Sequence, residues 1–409
     1  MILPEPAGLI ESLERSGWRT VIVATGGGSE AIAHLLTTPG ASNVVLEAIV
    51  PYASGAVDRW LGGPQESYCS SRTARRLAVL AWQRACALGT PPGRAVGAAV
   101  TASLRTRQPK QGPHRIFVAV QTLASTRVAT LVLLKNARSR RDEEQIAAAL
   151  LLNQLAEECC RPPIHRAEMP LLEGEQVEFD RESAALAWQE LFAGVRRIAL
   201  AESVDQTLAR TAGATLQSPQ ATLVEEEQVL PGRLVFSGSF DPLHDGHRLM
   251  AATAEDRVSR RIEYELSITN VDKPALDYVE IRERLLQFSG QTLWLTRAAT
   301  FLDKIDIFPA STFVMGADTY KRLCDPKYYG GSADAAARSV RHIAESVRGI
   351  IVFGRQIAGL FENSVQNDVP ETLRRVSLFI SEQDFRRDIS STQLRQQEHS
   401  STSEPDDHS

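Results

Sequence analysis

Apolar and polar positions recur in two rhythms along this chain. Thr20-Val21-Ile22-Val23-Ala24 is a β-branched run that predicts a buried strand. It breaks at Thr25-Gly26-Gly27-Gly28-Ser29. Ala31, Ile32, Leu35 and Leu36 then share one face of a helix that stops at Pro39-Gly40. Residues 44–50 read as a second strand, and residues 73–88 as a helix with Leu77, Leu80 and Ala81 at helical spacing. Residues 115–121 and 129–135 flank a turn over 123–127 and predict a hairpin. Residues 142–159 predict an amphipathic helix with an acid at its start. Mixed strands and helices imply an α/β layered domain over residues 1–160, closing near Arg161-Pro162-Pro163.

The pattern weakens over residues 161–231. Helical spacing over 182–200 is flanked by Pro170, by the loop-like run 211–220 and by Glu225-Glu226-Glu227, so the stretch reads as a connector with one helix. From Arg233 regularity returns. Strands are predicted at 233–237, 262–269, 292–296, 311–315, 349–353 and 375–380. Helices fall between them, up to Val258 and over 278–288, 319–323 and 333–347. That βαβα alternation predicts a doubly wound parallel sheet over residues 232–395, Rossmann-like, with ligands at the carboxyl ends of its strands. Residues 396–409 lack apolar side chains and are expected to be disordered.

Composition narrows the function. The 409 residues are 43% hydrophobic and 23% charged, which suits two or three globular domains. A formal net charge of −5 argues against nucleic-acid binding by bulk electrostatics, leaving only a local basic groove open. Five cysteines, with Cys159 and Cys160 adjacent, form neither a disulfide framework nor a CxxC zinc pair. The start lacks a basic, then apolar, leader pattern. The longest apolar runs, such as 146–152, are too short to span a membrane. The expectation is a cytoplasmic enzyme with neither membrane nor nucleic acid as partner.

The chemistry concentrates in Gly238-Ser239-Phe240-Asp241-Pro242-Leu243-His244-Asp245-Gly246-His247, directly after a strand and at a helix start. Gly238 lets the backbone approach a phosphate, and amides at the helix N-terminus can donate to it. His244 and His247, three apart, share one face of a turn, from which imidazoles can hold phosphoryl oxygens during transfer. Alone, such a pair could equally be two surface histidines beside a turn. No further Cys or His follows at metal-ligand spacing.

The decapeptide resembles the signature of the nucleotidylyltransferase superfamily: Gly, three residues, Pro, one residue, His or Thr, two residues, His. Asp388-Ile389-Ser390-Ser391-Thr392-Gln393-Leu394-Arg395 is similar to that superfamily's Ser-x-Thr-x-x-Arg element, though Ser-Ser-Thr before a helix is also an ordinary N-cap. The resemblance implies catalytic roles for His244, His247 and Arg395. It implies nucleotide contacts for Gly238, Ser239, Phe240, Ser390, Ser391 and Thr392.

Three further segments fit. Lys273, in Asn270-Val271-Asp272-Lys273-Pro274, matches a lysine that meets substrate phosphate, or else is a solvated loop charge. Gly316 and Asp318, in Phe313-Val314-Met315-Gly316-Ala317-Asp318, resemble the strand-end Gly-x-Asp of nicotinate- and nicotinamide-mononucleotide adenylyltransferases, although Asp318 could also cap the next helix. Arg355 ends another strand, as family members often do. The implied reaction is attack of a mononucleotide phosphate on the α-phosphate of ATP, with Mg²⁺ accompanying the triphosphate and no protein metal site. Phosphopantetheine and cytidylyl-accepting enzymes use similar signatures, so the acceptor stays open; the alternative of another class is a non-catalytic nucleotide-binding regulator.

The amino-terminal segment resembles the CinA carboxyl-terminal family, which includes nicotinamide-nucleotide amidohydrolases. The matching residues are Ala24-Thr25, Leu36-Thr37-Thr38-Pro39-Gly40-Ala41-Ser42, Val50-Pro51-Tyr52 and Trp60-Leu61-Gly62. The family carries Glu-Ser-Cys-Thr-Gly-Gly after Ala-Thr, with that serine as nucleophile; this chain has Gly26-Gly27-Gly28-Ser29-Glu30. Val57 stands where the family has a lysine, and valine can neither move a proton nor stabilise an oxyanion. The expectation is a non-catalytic domain. Its glycine run and Ser29 could still bind a phosphate, and it could promote homo-oligomers.

Overall fold

The computed structural model describes residues 6–108, 110–164, 167–202, 220–222, 230–271, 274–354, 356–357, 360–361 and 369–380. They fall into two units: residues up to Ala185 together with 274–281, and Leu186–Val271 together with those from Arg282 onward.

In the first unit, α1 (Pro6–Arg15) precedes β1 (Arg19–Thr25), α2 (Glu30–Leu36), β2 (Val45–Ile49), α3 (Ser54–Leu61) and α4 (Ser71–Ala87). Then come β3 (Ala95–Ser103), β4 (His114–Gln121), β5 (Ser125–Leu133), α5 (Arg140–Cys159) and β6 (Val177–Ser183). The strand order is β2-β1-β3-β4-β5-β6. The β2-β1-β3 half is parallel and the β3-β4-β5-β6 half antiparallel. Leu9, Leu13, Leu35, Ile146, Leu150 and Leu155 close one core with Ile22, Val100, Val118 and Leu131 of the sheet. Helix α4 packs on β1, β3 and β4.

Helix α5 starts where Ser139 accepts from the Asp142 N–H (3.2 Å) and Asp142 accepts from the Ser139 N–H (3.0 Å). It ends just before the Pro162-Pro163 pair. The hairpin turn is shorter than its pattern suggests, because β5 begins at Ser125. Residues 274–281 are held here by the buried Arg75 Nε–Asp277 Oδ2 pair (3.0 Å) and by Arg72 Nη2–Glu280 Oε1 (2.6 Å). The Tyr278 hydroxyl donates to the Leu123 carbonyl (2.7 Å).

Within residues 161–231, read above as a connector with a helix over 182–200, the described residues instead add strands to both sheets. Strand β6 pairs antiparallel with β5 as a mostly exposed edge. Its alternating charges, typical of a protected edge, disguised it as solvated surface. The expected helix shrinks to α6 (Leu186–Ala193). It stops at Gly194, where the Arg297 guanidinium takes the Leu191 and Phe192 carbonyls (3.0 and 2.8 Å). Strand β7 (Ile198–Glu202) then pairs antiparallel, and β8 (Gln220–Thr222) lies beyond it.

The second unit continues with β9 (Leu234–Ser237), α7 (Asp245–Val258), β10 (Ile262–Ser267), the part of α8 (Tyr278–Leu285) from Arg282 on, β11 (Leu293–Thr296) and α9 (Phe301–Ile307). After these come β12 (Thr312–Gly316), α10 (Ala317–Arg322), α11 (Ala333–Ser346), β13 (Gly349–Phe353) and β14 (Ser377–Ile380). The sheet runs β14-β13-β12-β9-β10-β11-β7-β8. Its first six members are parallel, and the order reverses between β9 and β12. This is a doubly wound sheet, and such reversals open a crevice outside the carboxyl ends of the two strands. Phe301, Phe308, Phe313 and Tyr320 fill one core, with Val235, Met315, Ile350 and Val352. No described helix is long and apolar enough to cross a membrane.

Candidate functional site

The reversal places the ends of β9 and β12 side by side, paired through Phe236 and Val314. Gly238 and Ser239 follow β9, and Gly316 and Asp318 stand at and just after the end of β12, so these four sequence-selected residues gather at the carboxyl ends of two neighbouring strands. Lys273, Arg355, Ser390, Ser391, Thr392 and Arg395 lie outside the described residues, as does the 396–409 tail.

The loop after β9 is built around Phe240. Its φ of +45° is left-handed, uncommon for a bulky side chain. The strain persists because the ring is fully buried. It packs edge-on against Phe236, Tyr264 and Phe288 at centroid distances of 5.4, 5.5 and 5.1 Å. Read above as a nucleotide contact, the Phe240 side chain is a core residue that anchors the loop. Gly238 is explained by the same ring: a Cβ there would lie 2.7 Å from Phe240 Cε1 and Cζ.

Arg284 and Gln287 hold the loop from behind. Arg284 donates from Nε to the Ser239 carbonyl (3.1 Å) and pairs through Nη2 with Asp241 Oδ1 (2.9 Å). Gln287 Oε1 accepts from the Leu243 N–H (2.6 Å). Neither residue was selected from the sequence. Arg284 sits in a helical pattern among several other charges, and its partner loop lies 45 residues earlier. The one available signal was a charge on a helix otherwise given to core packing.

His244 is the N-cap of α7 and His247 its third residue, with rings stacked 3.8 Å apart. The His244 backbone N–H points at His247 Nδ1 (3.3 Å). An Nδ1 that accepts leaves the neutral ring's proton on Nε2, so His247 presents Nε2–H as its donor. Burial, reinforced by the neighbouring His244 ring, lowers the His247 pKa to about 3. Burial also lowers that of His244, opposed by Asp245. Ser237 Oγ and His244 Nδ1 are buried with no hydrogen-bond partner among the described residues. Leaving such atoms unpaired costs about 1–3 kcal/mol each. Both belong to the segment that leaves β9 and enters α7.

The depressed pKa predicts a direction of pH dependence. Folded His247 stays neutral down to about pH 3, whereas the unfolded ring takes up a proton near 6.5. Between those values the unfolded chain binds more protons. The contribution is therefore full above pH 6.5 and declines as pH falls through that window. Denaturant titrations at pH 7 and pH 5 should show a smaller acid-induced loss in His247→Gln than in the parent.

Gly316 differs from Gly238: nothing lies within 4 Å of the position its Cβ would occupy. Gly316→Ala is expected to melt within about 1 °C of the parent. If β12 admits a nucleotide, KM for that nucleotide rises about tenfold or more, and unchanged kinetics would remove Gly316 from the site.

The first unit gives its glycine run a structural role. A Cβ on Gly26, whose φ is +72°, would lie 2.0 Å from the Ala102 carbonyl oxygen, so the loop needs glycine to pack on β3. The start of α2, read above as a possible phosphate site, is taken by a carboxylate. Glu144 Oε1 accepts from Ser29 Oγ (3.0 Å) and from the Glu30 N–H (3.3 Å). A phosphate there would have to displace Glu144. Val57 is buried within α3.

Residues 235–397 match a family profile described as cytidylyltransferase-like. No curated protein matches this chain. Among solved structures, the chain is similar to a competence-damaged protein (CinA) superfamily protein from Escherichia coli. It is 17% identical, covers 37% of this chain and 86% of that one, and has a TM-score of 0.31. A CinA superfamily protein from Enterobacter cloacae is 16% identical over 39% of this chain and 95% of its own, with a TM-score of 0.32. The competence/damage inducible protein CihA from Agrobacterium tumefaciens is 21% identical over 38% of this chain and 96% of its own, with a TM-score of 0.27.

Proposed function

We propose that the second unit transfers an adenylyl group from ATP to the phosphate of nicotinamide or nicotinate mononucleotide, forming a dinucleotide and pyrophosphate. The observation that carries the reading is the His244–His247 pair directly after β9, at the reversal of strand order. The cytidylyltransferase-like match supports nucleotidyl transfer in general. The acceptor rests on the Gly316–Asp318 resemblance and on the chemistry of a nicotinamide-nucleotide amidohydrolase, whose product is nicotinate mononucleotide.

In this reading an acceptor phosphate oxygen attacks the α-phosphorus in line. A P–O bond forms as the bond to the β-phosphate oxygen breaks, and the electron pair leaves with pyrophosphate. The protein supplies no nucleophile. It positions the two phosphates and places donors where charge accumulates. His247 offers Nε2–H to a phosphoryl oxygen. Magnesium would accompany the triphosphate as MgATP.

A second reading takes CTP as donor with another phosphorylated acceptor; the family match supports nucleotidyl transfer in general and fits this reading equally. Pyrophosphate release, followed with ATP or CTP against each acceptor and read with product mass, separates the two. Release with ATP and a pyridine mononucleotide supports the first. Release only with CTP overturns it, and binding without release in any pairing overturns both.

A further inference from the structure

Helix α8 belongs to the first unit up to Ile281 and to the second from Arg282 on. Its start is enclosed on every side. Asp277, Tyr278, Val279, Glu280 and Ile281 are each at most 2% exposed, although three of the five carry polar or charged ends. Those ends are matched one by one. Asp277 Oδ1 accepts from the Glu280 N–H (2.9 Å), as an N-cap does, while its Oδ2 meets Arg75 Nε (3.0 Å). Arg75, on α4, is itself fixed by donating from Nη1 to the Ser71 hydroxyl (3.0 Å). Thr126 Oγ1 accepts from the Tyr278 N–H (3.0 Å), and Glu280 takes Arg72 Nη2 (2.6 Å).

The other end of α8 grips the loop that follows β9. Arg284 donates from Nε to the Ser239 carbonyl (3.1 Å) and pairs with Asp241 (2.9 Å). Just past the helix, Gln287 Oε1 accepts from the Leu243 N–H (2.6 Å). A helix of eight residues is marginal by itself, so tertiary contacts decide where it lies. At 1.5 Å per residue it spans about 12 Å, a length over which a helix curves little. Arg284 follows Asp277 by two helical turns. A displacement of the capped start is therefore carried to the side chains that hold the loop.

We propose that Arg75 and Asp277 are positioning residues for the nucleotidyl transfer proposed above, acting through α8 on the loop over 239–243. Their effect on turnover rests on that reading; their effect on the loop does not. The pair ties the cap of α8 to α4, and without it the cap persists but its place is no longer fixed.

The test is hydrogen exchange at the Leu243 amide of the full chain in Arg75→Met, Asp277→Asn and Arg138→Met. Melting curves and rates of pyrophosphate release accompany each. Arg138→Met is the control, because it breaks an equally buried pair, with Glu175, that does not involve α8. Asp277→Asn keeps a capping oxygen and serves if Arg75→Met does not fold. Exchange at Leu243 is expected to rise about tenfold in both α8 variants, with Val235 in β9 unchanged, and to stay at the parental rate in Arg138→Met. In the same two variants kcat should fall about tenfold while KM stays within about twofold. Parental exchange at Leu243 in the α8 variants overturns the proposal. So does an equal rise in Arg138→Met, which reports general loosening, and so does faster exchange with parental turnover. Absence of pyrophosphate release from the parent overturns the functional reading alone, since exchange at Leu243 needs no turnover.

Discussion

His247→Ala is expected to lower the rate of pyrophosphate release by about 10²–10³-fold, the usual effect of removing one fixed donor from a developing anionic charge. The reason is local and specific. The His244 backbone N–H occupies His247 Nδ1, which leaves Nε2–H as the group facing outward from that bond. The depressed pKa keeps the ring neutral across the working pH range. Loss of ring contacts with Phe236 and Phe240 accompanies the change, so stability must be measured beside turnover. His247→Gln separates the two effects. A glutamine amide reaches roughly the position of Nε2, whereas an asparagine amide reaches that of Nδ1. Glutamine should therefore recover part of the lost rate and asparagine none. Equal turnover in parent and alanine variant would remove His247 from the reaction.

Arg284→Met should produce the second large effect, on a residue that touches no substrate. Breaking a fully buried ion pair costs about 3–5 kcal/mol. Asp241 is about one-fifth exposed, at 19%, so a loss nearer 2–3 kcal/mol is expected. The carbonyl of Ser239 loses its donor at the same time. A loop that shifts by an ångström misaligns the phosphates, which lowers turnover about 10²-fold. Arg284→Lys keeps the charge but not the fork and should restore stability more than rate. The kinetic signature of positioning is a fall in kcat that exceeds any rise in KM. A variant destabilised as expected but fully active would show that the crevice does not depend on this loop.

Much of the second unit was legible because its signals are local. Each strand predicted there lies within about two residues of an observed one, since β-branched runs bounded by glycine and turn residues encode their own conformation. Helix α9 was not anticipated. The first unit was harder. Its central strand β3, Ala95–Ser103, is Ala-Val-Gly-Ala-Ala-Val-Thr-Ala-Ser, a run of small residues without the bulky β-formers that mark a strand. It is a strand because helices pack on both of its faces, and small side chains let them approach. The two helices α1 and α3 were missed for want of a long apolar period, being ten and eight residues long.

The candidate site divides the same way. The spacing of His244 and His247 was readable, since three residues at a helix start put two rings on one side. That Phe240 is an anchor was not, because its neighbours Tyr264 and Phe288 come from later elements. The most consequential difference concerns Ser29. In the sequence it stands free at the end of a glycine run; in the fold it donates to Glu144, 115 residues later, and the anion that the helix start could attract is the protein's own.

Periodicity, turn chemistry and motif spacing thus establish a mixed α/β chain, a doubly wound carboxyl-terminal sheet and a histidine pair after its first strand. These properties are written within a few consecutive residues, where backbone geometry alone relates one side chain to the next. The partner of Ser29, the grip of Arg284 on the loop after β9 and the strands within 161–231 are set by packing. Each joins residues that no local rule relates, and they meet only because burying the apolar faces of sheets and helices brings distant segments into register.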